Sequence, residues 1–326
     1  MRAAWYTKNG DARDVLVVGE LPTPEPGPGE VRVRLHASGV NPSDVKSRRG
    51  RPLVGERVVP HSDGAGIIDA VGPGVPQDRV GERVWVWNGQ WQRPFGTAAE
   101  YIALPSAQVV RLPDTVDFAA GACLGIPALT AFQAVRLLAP APGQTVLVIG
   151  ASSAVGHYVT QMAVQRGATV IGTVGSAEKA AHARAAGASA TIDYKTEDVA
   201  ARVKGLTGGR GADGVIDMDF SSTVRLAAAG ALVPHGTLVS YGSNAMGDVP
   251  VPFRDLLFRS GTLRFFVVYE LLPEDRRAAL DGVTAMLESG RLTHTVGARF
   301  PLDGIAAAHE AVERGTVLGN VVLEPL

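Results

Sequence analysis

Hydrophobic and polar residues alternate with a period of two through much of the first 120 residues. Segments of this kind, separated by turns rich in proline and glycine, are VLVVGELP, EVRVRLHASGV, GAGIIDAVGPGV, ERVWVW and AEYIALP. Alternation of this kind predicts β-strands with one buried face. We therefore expect the first third of the chain to be β-rich.

The pattern changes near Pro127, where short apolar runs begin to alternate with segments of helical periodicity. Strands are predicted at 145–150, 169–174, 190–194, 214–217 and 237–242, with helices at 154–166, 177–186, 198–206 and from residue 222. Strands joined by helices form right-handed βαβ units and hence a parallel sheet. After an apolar segment at 263–268, a helix at 273–289, the strand VGARFPL, a helix at 304–314 and the strand GNVVLEP are expected.

Length and composition limit the class of protein. A chain of 326 residues exceeds the usual single core, which favours two domains. The 31 basic and 32 acidic residues nearly cancel, so we expect neither nucleic acid nor an acidic membrane as partner. The single cysteine, Cys123, excludes an intramolecular disulfide and a four-cysteine zinc site. Without a signal-peptide pattern or a membrane-length apolar run, we expect a soluble cytoplasmic protein.

The stretch VLVIGASSAVGHYVTQMA, residues 146–163, has the layout of a phosphate-binding turn between a strand and a helix. Aligned on its last glycine, the pattern G-x-G-x-x-G falls on Ala151, Ser153 and Gly156, so that only the third glycine is present. The residues from Gly150 to Ala154 are nevertheless all small, which lets backbone N–H groups approach a pyrophosphate. The candidate phosphate-binding residues are Ser152, Ser153, Ala154 and Val155. The alternative is an ordinary strand–helix corner.

The end of the second predicted parallel strand indicates which dinucleotide is bound. An NAD site places Asp or Glu there, whereas this chain has GTVGSAEK at residues 172–179. Gly175 and Ser176 leave room, Lys179 supplies a cation, and Tyr194 after the next strand supplies a phenol. These groups suit a 2′-phosphate and favour NADPH. In the alternative interpretation Lys179 is a solvated helix residue and Glu178 takes the acidic role of an NAD site.

Several segments, in order along the whole chain, resemble the quinone oxidoreductase (ζ-crystallin-like) branch of the medium-chain dehydrogenase/reductase superfamily. They are GVNPSD, SDGAG, GTAAEYIALP, IPALTAF, GASSAVGHYVTQMA, GTVGSAEKAAHARAAGA, IDYKTEDVAARV and GNVVLEP. The resemblance implies an α/β protein with a GroES-like β-rich catalytic domain, residues 1–122 and 269–326. A Rossmann NADP-binding domain with a doubly wound parallel sheet, residues 123–268, interrupts it, and the active site lies in the cleft between them. It also implies a homodimer joined through TLRFFVVYEL, residues 262–271.

The chain departs from this family at identifiable positions. Where the family usually has AASGGVG, Ser153 and Ala154 replace the two middle glycines, so Ser153 must tolerate the backbone angles of the turn. A tyrosine of some members is replaced by Lys46. The three catalytic zinc ligands of related alcohol dehydrogenases correspond to Asn41, Ser62 and Ile126. Because isoleucine cannot bind a metal, we expect a zinc-free protein.

The resemblance also implies roles for individual residues. Asn41 is expected near the nicotinamide, where its amide polarises an acceptor oxygen; the alternative is a turn asparagine before Pro42. Further candidate cofactor-binding residues are Thr130, Gly242, Ser243, Phe266, Val267, Val268 and Asn320. Candidate catalytic residues are Asn41, Asp44 and Trp91.

Three tryptophans, Trp85, Trp87 and Trp91, lie within seven residues. Trp85 and Trp87 are expected in the core, whereas Trp91 and Phe95 are expected to border an acceptor pocket and to stack on flat quinones. The segment KSRRGR, which includes Arg48, is interpreted as a solvated basic loop, with guidance of an anionic acceptor as the alternative.

The functional hypothesis is an NADPH-dependent, zinc-free reduction of a quinone or related electron-poor acceptor. An NADPH-dependent enoyl or alkenal reductase is the alternative with related chemistry. An alternative of another class is a nucleotide-binding or crystallin-like protein with incidental activity.

Overall fold

The structure, a computed structural model, describes residues 1–325. It divides into two compact units, one formed by Met1–Ile126 with the segment from Thr284 onward and the other by Pro127–Val283. Each unit has its own sheet and its own core. The domain boundaries at residues 122 and 268 that the sequence suggests stay a prediction.

The strands of residues 1–325 are β1 (Arg2–Trp5), β2 (Val17–Glu20), β3 (Glu30–Val40), β4 (Asp63–Val71), β5 (Arg83–Val86), β6 (Tyr101–Pro105), β7 (Val109–Arg111), β8 (Thr145–Val148), β9 (Thr169–Val174), β10 (Ala190–Asp193), β11 (Ala212–Asp217), β12 (Leu232–Ser240), β13 (Thr262–Phe265), β14 (Val296–Pro301) and β15 (Asn320–Glu324). The α-helices of the same residues are α1 (Ala12–Val15), α2 (Pro42–Gly50), α3 (Phe118–Gly121), α4 (Leu129–Leu138), α5 (Ala154–Gln165), α6 (Ala177–Ala185), α7 (Val199–Leu206), α8 (Phe220–Leu226), α9 (Phe253–Phe258), α10 (Pro273–Glu288) and α11 (Ile305–Arg314).

The first unit is built on a mostly antiparallel sheet with the strand order β14-β15-β3-β4-β5-β7, and β6 pairs with β3. Along β3 the side chains of Val31, Val33 and Leu35 are fully buried, while Arg32 and Arg34 alternate with them and are more exposed. This is the period-two pattern of the sequence, because successive side chains of a strand point to opposite faces. The prediction of a β-rich first region is confirmed.

The second unit contains a six-stranded parallel sheet with the order β10-β9-β8-β11-β12-β13. Counted along the unit, this is the order 3-2-1-4-5-6 of the Rossmann fold, which confirms the predicted doubly wound sheet. The chain moves outward in opposite directions from β8 and β11. In such sheets ligands bind beyond the carboxyl ends of the strands at that switch point.

Arg48 contradicts the interpretation of KSRRGR as a solvated loop. The segment begins inside α2, and the Arg48 side chain is fully buried. Its guanidinium group donates to the carboxylate of Glu313 on α11 and to the Gly10 carbonyl oxygen. The interpretation failed because a charge run is normally solvated, whereas here a carboxylate from a distant part of the chain pairs with the charge. Arg48 is therefore a structural residue that joins α2 to α11.

A buried chain of polar side chains crosses the same unit. Thr97 Oγ1 donates to the Asp63 carbonyl oxygen at 2.5 Å, so it accepts from Ser38 Oγ at 2.8 Å. Ser38 then accepts from His61 Nδ1 at 2.9 Å, and His61 Nε2 accepts from His309 Nε2, also at 2.9 Å. This order leaves both imidazoles neutral. Burial lowers the pKa of His61 to about 3 and that of His309 well below its ordinary value, and the nearby Arg48 charge lowers the pKa of His309 further.

The neutral histidine pair predicts a loss of stability in acid. Below about pH 6.5 the unfolded chain protonates both histidines while the folded chain leaves them neutral, so the unfolded state binds more protons. The free energy of unfolding then falls as the pH falls, by up to about 1.4 kcal/mol per pH unit for each histidine. We expect His309→Gln to flatten this dependence in urea unfolding measured between pH 7 and pH 5.

The exposed His235 provides the matched control, since its ring is already in solvent in the folded chain. His235→Gln should unfold with the wild-type pH dependence. An unchanged slope in His309→Gln would contradict the assignment of a neutral buried pair.

Candidate functional site

The turn after β8 shows how a serine occupies a position where glycine is usual. Gly150 has a φ of 69°, in the left-handed region that glycine adopts without steric cost. Ser153 has φ −72° and ψ 166°, an extended conformation open to any residue. Its Oγ accepts a hydrogen bond from the Gly156 N–H at 3.0 Å and so caps the N-terminus of α5. The strain that the sequence raised as a question for Ser153 is therefore absent, because Gly150 adopts the demanding angle.

The third glycine of the pattern is required by close packing. A Cβ atom on Gly156 would lie 2.1 Å from the carbonyl oxygen of Gly150, which is far inside van der Waals contact. Helix α5 therefore starts directly against the strand end, and Ser152, Ala154 and Val155 lie in this turn and the first turn of the helix. The first N–H groups of a helix lack intrahelical acceptors and carry partial positive charge. The turn can thus hold an anionic phosphate group.

A second cluster lies where β9 and β10 end. Ser176 caps α6 by accepting from the Lys179 N–H at 3.2 Å, and Gly175 precedes it. A Cβ atom on Gly175 would lie 3.0 Å from the Tyr194 hydroxyl oxygen and 3.2 Å from Lys195 Cε. The glycine thus makes room for a phenol and a lysine side chain above the strand end. Gly175, Ser176 and Tyr194 thus lie together, Lys179 joins them through its backbone N–H, and Lys195, which the sequence analysis missed, lies beside them because it directly follows Tyr194.

The loops after β11 and β12 are tied to each other by hydrogen bonds. Asn244 donates from its backbone N–H to Asp219 Oδ1 at 2.8 Å and from Nδ2 to Asp219 Oδ2 at 3.0 Å. A Cβ atom on Gly242 would lie 2.7 Å from the Met218 carbonyl oxygen. The predicted residues Gly242 and Ser243 are therefore held at the carboxyl edge of the sheet. Asp219 was not found from the sequence, because a carboxylate that orders a loop has no local pattern.

The remaining candidates of the second unit occupy different environments. Thr130 is the second residue of α4 and is buried. Phe266, Val267 and Val268 follow β13; Val268 is buried, whereas Val267 is 44% exposed. The role of Thr130 as a cofactor contact stays a prediction.

Asn41 lies at the start of α2 in the first unit, where two buried carboxylates bind it. Asp44 Oδ2 accepts from the Asn41 backbone N–H at 2.7 Å, and Asp63 Oδ2 accepts from Asn41 Nδ2 at 2.8 Å. Burial raises the pKa of Asp44 to about 7. Burial, and then the charge of Asp44, raise the pKa of Asp63 well above its ordinary value. Asp63 was missed because the segment SDGAG was interpreted as a packing motif alone.

The aromatic residues of the first unit agree only in part with their expected places. Trp85 is fully buried and Trp87, directly after β5, is half-buried. Trp91 is also half-buried, and Phe95 is 48% exposed. Asn320 is buried, and its Nδ2 donates to the Thr295 carbonyl oxygen at 3.0 Å. An acceptor pocket at Trp91 and a phosphate contact at Asn320 stay predictions.

The donor groups at the three zinc-ligand positions do not suit a catalytic zinc ion. Asn41 supplies an amide that is bonded to Asp63, Ser62 supplies a hydroxyl group, and Ile126 supplies no donor atom. Zinc sites in proteins use thiolates, imidazoles and carboxylates. Among residues 1–325, no three side chains of these types are grouped so that they could hold a metal ion.

In the part of the chain that the structure describes, no helix has the length and apolar character required to cross a lipid bilayer.

Two protein-family models match the chain. The alcohol dehydrogenase GroES-like domain matches residues 27–114, within the antiparallel unit, and the zinc-binding dehydrogenase model matches residues 154–285. The predicted GroES-like architecture of the first region is confirmed.

Curated relatives extend along the whole chain. The quinone oxidoreductase of Pseudomonas aeruginosa is 35% identical over 320 residues, which cover 96% of this chain and 96% of the relative. The 2-haloacrylate reductase of a Burkholderia species is 33% identical over 341 aligned positions, which cover 100% of this chain and 99% of that relative.

Solved structures agree with the fold. A structure described as an NAD-dependent alcohol dehydrogenase has a TM-score of 0.92 at 32% identity, with 99% of each chain covered. The quinone oxidoreductase of Escherichia coli complexed with NADPH has a TM-score of 0.89 at 26% identity, with 100% of each chain covered. By its sequence, its fold and its full-length relatives, the chain belongs to the quinone oxidoreductase family of the medium-chain dehydrogenase/reductase superfamily.

Proposed function

We propose that this protein is an NADPH-dependent reductase that transfers a hydride to a quinone or a related electron-poor acceptor without zinc. The observation that carries the proposal is the cluster of Gly175, Ser176, Lys179, Tyr194 and Lys195 beside the phosphate turn of a Rossmann sheet. The full-length quinone oxidoreductase relative supports the reaction class.

The cluster supports NADPH over NADH by its charge. Lys179 and Lys195 are cations and the Tyr194 hydroxyl is a hydrogen-bond donor, whereas 172–177, at the end of β9, contains no Asp or Glu. A 2′-phosphate is bound by cations and donors, while a ribose 2′-hydroxyl is bound by a carboxylate. The Escherichia coli neighbour was solved with NADPH, which supports this assignment, whereas another neighbour is described as NAD-dependent.

The proposed reaction needs little chemistry from the protein itself. When bound, NADPH supplies a hydride, that is, a proton with two electrons, which reduces the acceptor, and solvent supplies the second proton of the hydroquinone. The Asn41 amide polarises the acceptor oxygen and stabilises the negative charge that develops there. Asp44 holds the Asn41 backbone at the start of α2. Trp91 and Phe95 stack on the acceptor ring, and the main contribution of the protein is positioning.

Enoyl or alkenal reduction is the second candidate function. It is favoured by the 33% identity to a 2-haloacrylate reductase over the full length. A nucleotide-binding protein with incidental activity would instead bind NADPH tightly and turn over no acceptor. A cytoplasmic location stays a prediction.

We also propose a homodimer joined at β13. This strand ends the parallel sheet and pairs only with β12 among the described strands. Its Phe265 is 61% exposed, and on α9 Phe253 and Phe258 are 69% and 74% exposed. An apolar edge strand is a site for pairing with a second chain.

Removing either lysine should weaken the preference for NADPH. We expect Lys179→Ala and Lys195→Ala each to raise the Kd for NADPH about tenfold, since each removes one charged contact worth about 1.5 kcal/mol, and to leave the Kd for NADH unchanged. Fluorescence titration of both cofactors measures this. The matched control is Lys204→Ala, near the end of α7 and shortly before β11. Equal losses for NADPH and NADH would contradict the assignment of a 2′-phosphate site.

The reaction itself is tested by NADPH oxidation with a panel of quinones and α,β-unsaturated carbonyl compounds. We expect turnover with quinones to survive dialysis against a chelator, because the residues at the zinc-ligand positions cannot hold the metal. Metal analysis of the same sample should find less than one zinc ion per ten chains. Turnover that chelation abolishes and zinc restores would contradict the zinc-free proposal.

The dimer predicts a specific sensitivity at the apolar edge. We expect the wild-type protein to sediment as a dimer and Phe265→Glu to sediment as a monomer, because a charge then lies on an apolar contact strand. Val17→Glu, at an exposed apolar position in the other unit, should not change the sedimentation. A monomeric wild-type protein would rule out the proposed interface.

A further inference from the structure

Asp219 is the N-cap residue of α8, but its carboxylate does not cap that helix. The side chain of an N-cap aspartate normally accepts from a backbone N–H of its helix, whereas among residues 1–325 no backbone N–H of α8 donates to the Asp219 carboxylate. Its oxygens accept instead from Ser221 Oγ at 2.5 Å and from Ser222 Oγ at 2.8 Å. They also accept two hydrogen bonds from Asn244, in the loop after β12. The carboxylate therefore joins the start of α8 to a neighbouring loop.

Asn244 binds this carboxylate through two donors, and we call this pair of hydrogen bonds the Asp219–Asn244 latch. The backbone N–H of Asn244 donates to Oδ1 at 2.8 Å, and its Nδ2 donates to Oδ2 at 3.0 Å. Both oxygens of an ionised carboxyl group are acceptors, so both bonds form at once. Partial burial raises the pKa of Asp219, but the hydrogen bonds from the serine hydroxyl groups and from Asn244 outweigh burial and lower the pKa below its ordinary value. Asp219 is therefore ionised at neutral pH.

The loops after β11 and β12 also touch along the backbone next to the latch. The Phe220 N–H donates to the Gly242 carbonyl oxygen at 2.9 Å. A Cβ atom on Gly242 would lie 2.7 Å from the Met218 carbonyl oxygen, so the two chains approach closely at this point. Asn244 begins the exposed part of the loop. The latch thus extends the attachment of the loop from its buried beginning to its exposed part.

Met218 connects the latched loops to the phosphate turn. A Cβ atom on Gly150 would overlap the Met218 Sδ atom, so the thioether lies directly against the turn between β8 and α5. Strands β8 and β11 are paired at the point where the strand order reverses. In a sheet of this kind the ligand binds at that point, beyond the carboxyl ends of the strands. The loops after β11 and β12 therefore border the site of the dinucleotide.

The position of the latch indicates which half of the dinucleotide it affects. A dinucleotide lies across the switch point, with one mononucleotide on each half of the sheet. The cluster at the ends of β9 and β10 is proposed to bind the 2′-phosphate, which belongs to the adenosine half. Because β11 and β12 lie on the other side of β8, the nicotinamide half lies beyond their carboxyl ends. The latch therefore orders the loop on the nicotinamide side.

We propose that Asp219 is a positioning residue whose latch to Asn244 holds the loop after β12 in the conformation that binds the nicotinamide half of NADPH. This inference rests on the NADPH site of the proposed function and does not depend on the identity of the acceptor. When a binding conformation is populated for only a fraction of the time, the apparent Kd rises by the inverse of that fraction. Loss of the latch should therefore weaken the binding of NADPH without changing any group that contacts the 2′-phosphate.

Exchanging the two latch residues tests the proposal, because the exchange preserves both hydrogen bonds and the net charge. In Asn244→Asp two carboxylates face each other, and in Asp219→Asn an amide N–H opposes one of the two donors. We expect each single variant to raise the Kd for NADPH at least threefold in fluorescence titration. In the double variant the amide oxygen at position 219 accepts from the backbone N–H of residue 244, and the amide N–H donates to the carboxylate at position 244. The Kd for NADPH should then return to within twofold of the wild-type value.

Adenosine 2′,5′-bisphosphate separates a local effect from a general one, because it carries the 2′-phosphate and the adenosine but no nicotinamide. Its Kd should stay within twofold of the wild-type value in all three variants. The matched control is Asp248→Asn, at an exposed position of the same loop, which removes one negative charge without touching the latch and should change neither Kd. Parallel losses for NADPH and the bisphosphate would overturn the proposal. It would also be overturned if the losses of the single variants multiplied in the double variant.

Hydrogen exchange of the protein without NADPH tests the latch independently of binding. After correction for intrinsic rates, the backbone amide of residue 244 should exchange at least fivefold faster in Asn244→Asp than in the wild type, and the double variant should restore slow exchange. Unchanged exchange in Asn244→Asp would overturn the proposal. A wild-type protein that does not bind NADPH would overturn the proposed function together with this inference, whereas NADPH binding without coupling between positions 219 and 244 overturns only the role of Asp219.

Discussion

The contact between Gly150 and Gly156 is the constraint on which the nucleotide turn depends. A Cβ atom on Gly156 would lie 2.1 Å from the Gly150 carbonyl oxygen, so the helix can start directly against the strand only if residue 156 is glycine. Gly150 adopts the left-handed angle that reverses the chain. Since these two residues meet the steric demands, position 153 is left in an extended conformation and can use its side chain as a helix cap. Counting glycines alone therefore underestimates how well this turn matches a phosphate-binding turn, because only two of its positions require the absence of a side chain.

Much of the fold could be predicted from periodicity because each parallel strand of the second unit is a short apolar run between helices. The predicted helix at 154–166 is observed as Ala154–Gln165, and the predicted strand at 169–174 is observed with the same bounds. Helix α2 was missed, since KSRRGR has no apolar periodicity: its helix is stabilised by the carboxylate of Glu313, 265 residues away from Arg48. Long-range pairing of this kind leaves no local pattern.

Part of the candidate site could also be predicted, namely the residues that directly follow parallel strands. Residues 150–156 and 175–179 follow strands, and the carboxyl ends of parallel strands meet at one edge, so sequence position alone places them. Asp63 and Asp219 act through side-chain bonds to Asn41 and Asn244, which lie 22 and 25 residues away in the chain. Their hydrogen bonds depend on how loops fold back on one another. Sequence patterns identify groups that contact a ligand more readily than groups that orient those contacts.

The same physical solution recurs in both units. A helix start needs its N–H groups bound, and here Ser153, Ser176 and Asp44 each use a short side chain for that purpose. In the parallel unit the capped helices lie next to strand ends, which leaves partial positive charge available for phosphate groups. In the antiparallel unit the capped helix instead begins with Asn41, whose side chain is bound to a second carboxylate rather than to a metal. One of the three positions that correspond to zinc ligands in related alcohol dehydrogenases thus holds a neutral hydrogen-bond donor. Such a donor can orient an acceptor that is already electron-poor, but it cannot lower the pKa of an alcohol as zinc does. In the proposed function, the buried amide–carboxylate pair therefore suits reduction of a carbonyl acceptor better than oxidation of a simple alcohol.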